Sequence, residues 1–426
     1  MMKKLFSKIH LWLSIPAGIF ITIICLTGAA LVFQNEITRA LQSQLYTVSH
    51  AEGARHLPPS QLAKRIQQQV ADTLTIESMQ LSANPDASCQ VTFEQMERKT
   101  LFVNPYTGRV LGWGKDVSFF KTMRNLHRFL LNAPQKRGDM TVGKFIVNTA
   151  TLLMIVILVS GIVIWVPRKG KSWKRRLTIS YKNGGQRFWH DTHVSLGIYA
   201  VVFLLLMALT GPTWGFKWYR TAAYGLFGAN EERGMKGEVR HGHNGKPQGG
   251  EANFHKHGGK PGKKNHGFNH GGSQNFHKNK DWQDGHGEGR PRGGDSKESL
   301  EADFNPHAWD VAYATLQARY PESKYMILSK EKIQVSPVSE SGMRRFDNAL
   351  FNAHTGKIEK VERFADQPRQ MQMRSWFFAL HTGSWGGIAS KILYFVVVLL
   401  GASFPITGYY FWLSKRKKRS ESSQRN

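Results

Sequence analysis

Cysteine is scarce in this chain. Its 426 residues hold two, Cys25 inside a long apolar run and Cys89 far outside one, so no disulfide framework holds the protein together. Acidic residues are few too, 30 against 58 Lys and Arg, which gives a formal charge of +28. Charge of either sign is missing from four stretches: Leu11–Phe33, Phe145–Val166, Val194–Phe216 and Ile392–Leu413. Each reaches the roughly 20 residues a helix needs to cross a bilayer. The lack of acidic residues within them counts against an ion-coupled transporter. No cysteine pair, nucleotide-binding loop or Ser/His/Asp arrangement stands out.

The basic surplus has a place. A positive chain invites a nucleic-acid reading, but here Lys and Arg flank the apolar runs or fall in one Gly/His-rich segment. They do not form a patch with interleaved aromatics, so membrane lipid is the expected partner and nucleic acid is not. Twelve Trp and 25 Phe suit the water boundary of a membrane. Lys3, Lys4 and Lys8 precede the first run. Arg168, Lys169, Lys171, Lys174, Arg175, Arg176, Lys182 and Arg187 lie between the second and third, and Lys415, Arg416, Lys417, Lys418 and Arg419 follow the fourth. Positive residues stay cytoplasmic. Four spans with both termini inside satisfy this, leaving residues 34–141 and 217–388 outside, in the periplasm of a Gram-negative cell. The first run could instead be a signal peptide, but its length and the repeat below favour retention.

The chain repeats itself. His10 precedes Leu26-Thr27-Gly28, and His193 precedes Leu209-Thr210-Gly211 at the same separation. Ser160-Gly161 near the end of the second span matches Thr407-Gly408 in the fourth. Asn104-Pro105-Tyr106-Thr107-Gly108-Arg109 matches Asn352-Ala353-His354-Thr355-Gly356-Lys357, each a turn signature. Leu126-His127 and Leu380-His381 each precede a span. The expected fold is therefore an integral membrane protein with four transmembrane α-helices in two parallel repeats, each with a small periplasmic α/β unit.

In order, residues 1–33 form a tail and span one, 34–141 an outer domain with the His127 segment, and 142–192 span two and the basic loop. Residues 193–217 form span three, 218–391 the second outer region, and 392–426 span four and its tail. In the first unit Ser60–Ala71 suits a helix and Ser78–Ser82, Gln90–Glu94 and Leu101–Val103 suit strands. Residues 305–362 form the second unit, with His307–Tyr320 as the helix. An insertion at 229–299, rich in Gly, Lys, Asn and His, has too few aliphatics to fold and should be disordered.

An ionisable residue at a membrane span is a functional candidate, because its burial needs compensation. Four histidines qualify: His10 and His193 at the cytoplasmic ends of spans one and three, and His127 and His381 on the outer side. His127 shares the apolar face of a helix bearing Phe119, Phe120, Met123, Leu126, Leu130 and Leu131, and His381 follows Met373 and Phe377 at intervals of four. A single histidine at a helix end is ordinarily an interfacial residue. Four at repeat-related positions, two per face, point to axial ligation of two haems, His10 with His193 and His127 with His381. A helix from His10 to Phe33 covers about 36 Å, so inner and outer histidines cannot share an iron. His190 rivals His193 but has no counterpart in the first half. Gly28, Gly161, Gly211 and Gly408 would let helices approach closely or admit a flat cofactor. Arg124, Arg128 and Arg374 could pair with haem propionates or be ordinary boundary cations. His241, His243, His255, His257, His266, His270, His277 and His286 in the insertion suit loose transition-metal binding or a solvated tether. The cytoplasmic loop is too short for a flavin or nicotinamide domain, so any soluble electron donor is a separate partner.

The pattern His-Leu-Trp-Leu with Leu-Thr-Gly in span one, Leu126-His127-Arg128, His193 with Leu-Thr-Gly, and Leu380-His381 resembles the PepSY-associated transmembrane family. The outer units resemble its PepSY modules, with their Asn-x-x-Thr-Gly turns. The resemblance covers the chain apart from the insertion. It implies an iron-regulated inner-membrane oxidoreductase that carries haem b on these histidines and reduces a periplasmic ferric siderophore. Electrons would come from a cytoplasmic donor or quinol. The alternative is a haem-free metal-handling or regulatory membrane protein, using the outer units and the His-rich segment.

Overall fold

A computed structural model describes residues 2–136, 138–167, 173–182, 184–229, 305–336 and 345–424. Apart from residue 229 the insertion lies outside these, as do Arg168, Lys169 and Lys171 of the basic loop.

The chain opens with α1 (Met2–Val32), continued by α2 (Gln34–Leu41) and a single turn, α3 (Ser43–Tyr46). An α/β unit follows: α4 (Pro59–Gln67), β1 (Ile76–Ser82), β2 (Cys89–Phe93), β3 (Met96–Val103) and β4 (Val110–Trp113). Next, α5 (Ser118–Phe129) leads to α6 (Val142–Trp165). After α7 (Trp173–Leu177), α8 (Gly185–Thr210) passes through a 3-10 turn at Gly211–Trp214 into α9 (Lys217–Gly225). The second unit is α10 (His307–Arg319), β5 (Tyr325–Ser329), β6 (Lys332–Ser336), β7 (Asp347–Phe351) and β8 (Ile358–Glu362). It is followed by α11 (Arg369–Thr382) and α12 (Gly387–Gln424).

Helices α1, α6, α8 and α12 are long and apolar enough to cross a membrane. Their surfaces say the same. On α1, Trp12, Ile19 and Leu26 are exposed at intervals of seven, while Ala17, Ile21, Cys25 and Ala29 are buried. On α12, Ile392, Leu399, Ile406 and Leu413 are exposed at the same interval, and Val397, Val398 and Ala402 are buried. Large apolar side chains on the outer face of a bundle are costly in water and at home in lipid. Both α1 and α8 pack against α6 and α12, closing a ring around Ala17, Ile21, Met154, Ala200, Leu204 and Ala402. The chain is an integral membrane protein.

The helices differ from the expected spans at their ends. Helix α1 begins at Met2 rather than Leu11, so His10 lies in its third turn, because Lys3, Lys4 and Lys8 continue the helix without breaking it. Helix α8 begins at Gly185, so part of the stretch assigned to the basic loop is helical. Its α-helical part stops at Thr210 rather than Phe216, because Pro212 lacks an N–H and crowds the preceding turn. Helix α12 begins at Gly387 rather than Ile392. Helix α5 ends at Phe129, and Leu130 and Leu131 adopt left-handed backbone with φ of 47° and 65°, so they leave the face that carries His127. Helix α4 is shorter than Ser60–Ala71, ending at Gln67.

The two α/β units share one sheet. Its order is β4-β3-β2-β1-β5-β6-β7-β8, antiparallel throughout. The seam joins β1 to β5, with Met79 opposite Leu328 and Leu81 opposite Met326. Strand residues alternate between faces. Met79, Leu81, Val91, Leu101, Leu328 and Ile333 point into one core, closed by Leu62 and Ile66 of α4 and by Trp309 and Leu316 of α10. The Ser60 N–H donates to Asp310 Oδ1 at 2.8 Å and so ties α4 to α10. The two turn signatures fold alike. Asn104 Oδ1 accepts from the N–H groups of Tyr106 and Thr107, and Asn352 Oδ1 accepts from those of His354 and Thr355. Gly108 and Gly356 both take φ of 72°, which only glycine adopts freely.

Candidate functional site

Each of the four histidines rests its Nδ1 on a neighbouring helix. His10 on α1 meets α6, with Nδ1 3.0 Å from the Ile157 carbonyl and 3.0 Å from Ser160 Oγ. His127 on α5 meets α1, 2.9 Å from the Ile24 carbonyl and 3.2 Å from Thr27 Oγ1. His381 on α11 meets α8, 3.0 Å from the Met207 carbonyl and 3.1 Å from Thr210 Oγ1. His193 on α8 meets α12, with Nδ1 2.7 Å from Thr407 Oγ1.

One local pattern recurs in all four: a hydroxyl residue followed by glycine. Three of the glycines leave room for the ring itself. A Cβ at Gly28 would stand 3.2 Å from His127 Cε1, one at Gly161 3.4 Å from His10 Cε1, and one at Gly211 3.4 Å from His381 Cε1. At Gly408 a Cβ would meet nothing within 4 Å. Thr27, Ser160, Thr210 and Thr407 were not singled out from sequence, although they sit in the repeated motifs. A threonine in a helix usually bonds its own backbone, so nothing local marked them as imidazole partners.

A carbonyl only accepts, so Nδ1 of His10, His127 and His381 carries the proton. In a neutral ring that leaves the lone pair on Nε2, the arrangement of a metal-ligating histidine held from behind. Burial pushes the outer two imidazoles below their ordinary range, and at His127 the nearby His381 adds to the effect, so the neutral form is favoured.

The outer pair meets. The His127 and His381 ring centroids are 6.2 Å apart, with the rings 62° from parallel. Two imidazoles binding one metal at about 2 Å each, with each ring centre roughly 1 Å behind its nitrogen, would stand about 6 Å apart. The spacing fits. The indole of Trp214 lies edge-on to His381 at 5.2 Å. Phe404 and Phe411 pack beside His193 at 5.3 and 6.1 Å. Along α1 the distance from His10 to the Ile24–Thr27 seat is about 21–26 Å at roughly 1.5 Å per residue, and α8 repeats it from His193 to Met207–Thr210. The histidines therefore form two layers.

His190 lies one turn before His193 on α8, with its ring 5.9 Å from Phe411, which also flanks His193. Its Nδ1 is 3.3 Å from Asp191 Oδ1, its side chain is 55% exposed, and Asp191 is held by Arg187 at 2.9 Å. Of the arginines, Arg128 follows His127 directly, with its guanidinium 4.9 Å over the Phe129 ring. Arg124 lies one turn before His127 on α5, and Arg374 two turns before His381 on α11, beside Tyr224. The insertion histidines lie outside the described residues. Among the described residues no group of three or more His, Cys, Asp or Glu is placed to hold a metal ion. Two imidazoles alone are few ligands for a bare ion, but they suffice for an iron that brings four nitrogens of its own.

No curated protein matches the chain. The family described as "PepSY-associated TM region" matches residues 7–415. Spans, outer units and all four histidines fall within that match, and the chain belongs to this family of PepSY-associated membrane proteins.

Proposed function

We propose that this protein carries electrons across the bacterial inner membrane through two haems b and reduces a ferric chelate, of the siderophore type, on the periplasmic side. The observation that carries the proposal is the His127–His381 pair, 6.2 Å between ring centroids, with both Nδ1 atoms held by backbone carbonyls. Bound between two imidazoles, haem b supplies a one-electron Fe(III)/Fe(II) couple.

The chain does the rest. Helices α1 and α8 present an inner histidine near one end and seat an outer histidine near the other, so each half contributes one ligand per layer. The sequence repeat and the distribution of basic residues support a parallel arrangement with both termini cytoplasmic and the sheet in the periplasm. His10 and His193 then lie where a cytoplasmic donor or quinol delivers electrons. His127 and His381 lie beneath the outer units, and Arg124, Arg128 and Arg374, within two turns of them in sequence, are the candidate partners of haem propionates. One electron passed to a ferric chelate weakens its oxygen ligation and lets Fe(II) leave.

The test is spectroscopic first. Purified protein should show a Soret band that shifts on dithionite reduction, two haems per chain, and reoxidation by a ferric hydroxamate or catecholate with Fe(II) captured by a chromogenic chelator. A colourless protein would refute the proposal and leave the haem-free metal-handling reading. A reducible protein that no ferric chelate reoxidises would refute the substrate alone.

A further inference from the structure

Each seat hydroxyl is committed as a donor to its own helix. Thr27 Oγ1 donates to the carbonyls of Ile23 and Ile24 at 2.7 and 3.0 Å, and Thr210 Oγ1 to those of Leu206 and Met207 at 2.8 and 3.1 Å. Ser160 Oγ donates to Ile157 at 2.8 Å, and Thr407 Oγ1 to Ser403 and Phe404 at 3.2 and 2.9 Å. A hydroxyl has one proton, and when a helix carbonyl takes it the oxygen is left to accept from the imidazole. With that polarity His193, like the other three, bears its proton on Nδ1 and keeps the Nε2 lone pair for a metal.

The four seats agree in polarity and differ in strength. His10, His127 and His381 each give Nδ1–H to a peptide carbonyl and a hydroxyl together. Among the described residues His193 gives its Nδ1–H to Thr407 alone. An acceptor behind Nδ1–H makes Nε2 a better electron donor and favours the ferric state of an iron bound there.

We propose that Thr407 is a positioning residue that sets the two centres apart. One hydroxyl governs the orientation and donor strength of His193, and through them the midpoint potential of the inner centre. The outer centre is buffered, because each of its imidazoles keeps a carbonyl if the hydroxyl is lost. This inference rests on the haem reading above.

The experiment uses full-length protein in detergent, with Thr407→Val, Thr407→Ser, Thr27→Val and Thr210→Val. Each is titrated potentiometrically at the Soret and α bands and examined by electron paramagnetic resonance of the ferric form. Thr407→Val should raise the inner midpoint and move that centre's resonance, and Thr407→Ser should restore both. Thr27→Val and Thr210→Val should move the outer midpoint less. If Thr407→Val loses the inner haem, retention by Thr407→Ser supports the proposal and loss there overturns it. Wild-type midpoints and resonances in Thr407→Val overturn it, as does an equally large shift from Thr27→Val. A wild-type protein without a Soret band ends the haem reading and this inference together. A normal Soret band with an inert Thr407→Val ends this inference alone.

Discussion

Adding one methyl group at each seat glycine tests whether those glycines exist for the imidazoles. At Gly28 the new Cβ would lie 3.2 Å from His127 Cε1 and 3.5 Å from Nδ1. Carbon atoms rest at about 3.5–4.0 Å, so the ring must yield by at least about 0.3 Å. Nδ1 now stands 2.9 Å from the Ile24 carbonyl, and a shift of that size takes the bond to the limit of useful length. The loss is about 0.5–1.5 kcal/mol. Alanine also gains about 0.5–1 kcal/mol over glycine inside a helix, so the two effects nearly cancel in Gly28→Ala. At Gly408 nothing lies within 4 Å, so Gly408→Ala should keep the whole helical gain. Gly161→Ala and Gly211→Ala, at 3.4 Å, should fall between. Thermal unfolding in detergent, followed by tryptophan fluorescence, should therefore rank Gly408→Ala most stable and Gly28→Ala least. The haem-to-protein ratio should fall in Gly28→Ala alone. Equal melting of Gly28→Ala and Gly408→Ala would refute the packing argument.

Replacing His127 or His381 with Ala should remove one haem and spare the other, and His10→Ala or His193→Ala should remove the other; a pyridine haemochrome count on each variant checks this. Asp310→Ala unties α4 from α10 by leaving the Ser60 N–H without its charged acceptor, and should cost about 1–3 kcal/mol in denaturant unfolding followed through Trp309. His56 stands below its ordinary pKa, because burial and then the charge of His50 disfavour the protonated ring. Its folded form binds fewer protons than the unfolded chain, so its contribution is full above about pH 6.5 and is lost as pH falls from there towards the folded pKa. Melting of the outer sheet should drop on acidification, and His56→Gln should flatten that dependence; parallel curves for the two proteins would contradict the assignment.

The four spans were legible because uncharged length is a direct demand of the bilayer. Their ends were not, since Lys3, Lys4 and Lys8 are good helix formers whose charge says nothing about where α1 starts. The four histidines showed through the repeat, which supplied for each a counterpart that a lone helix-end histidine lacks. Their seats did not show. Thr27 and Thr407 look like ordinary helix threonines until a ring from another segment arrives. The β1–β5 seam was equally silent, because pairing of Met79 with Leu328 depends on segments far apart in sequence and leaves no local trace. The left-handed Leu130 and Leu131 went unread for a related reason: an apolar pair at helical spacing continues the pattern even where the backbone has turned away.

The fused sheet also behaves like a pair of calipers. Its outermost strands, β4 and β8, are separated by seven inter-strand steps, about 34 Å at roughly 4.8 Å each. Each feeds by a short link into the helix bearing an outer histidine, α5 or α11, and the tips close to 6.2 Å. The opening between the imidazoles is thus spanned by the sheet, with the β1–β5 seam at its middle. Slippage there would be felt at the His127–His381 pair without any change to the histidines themselves.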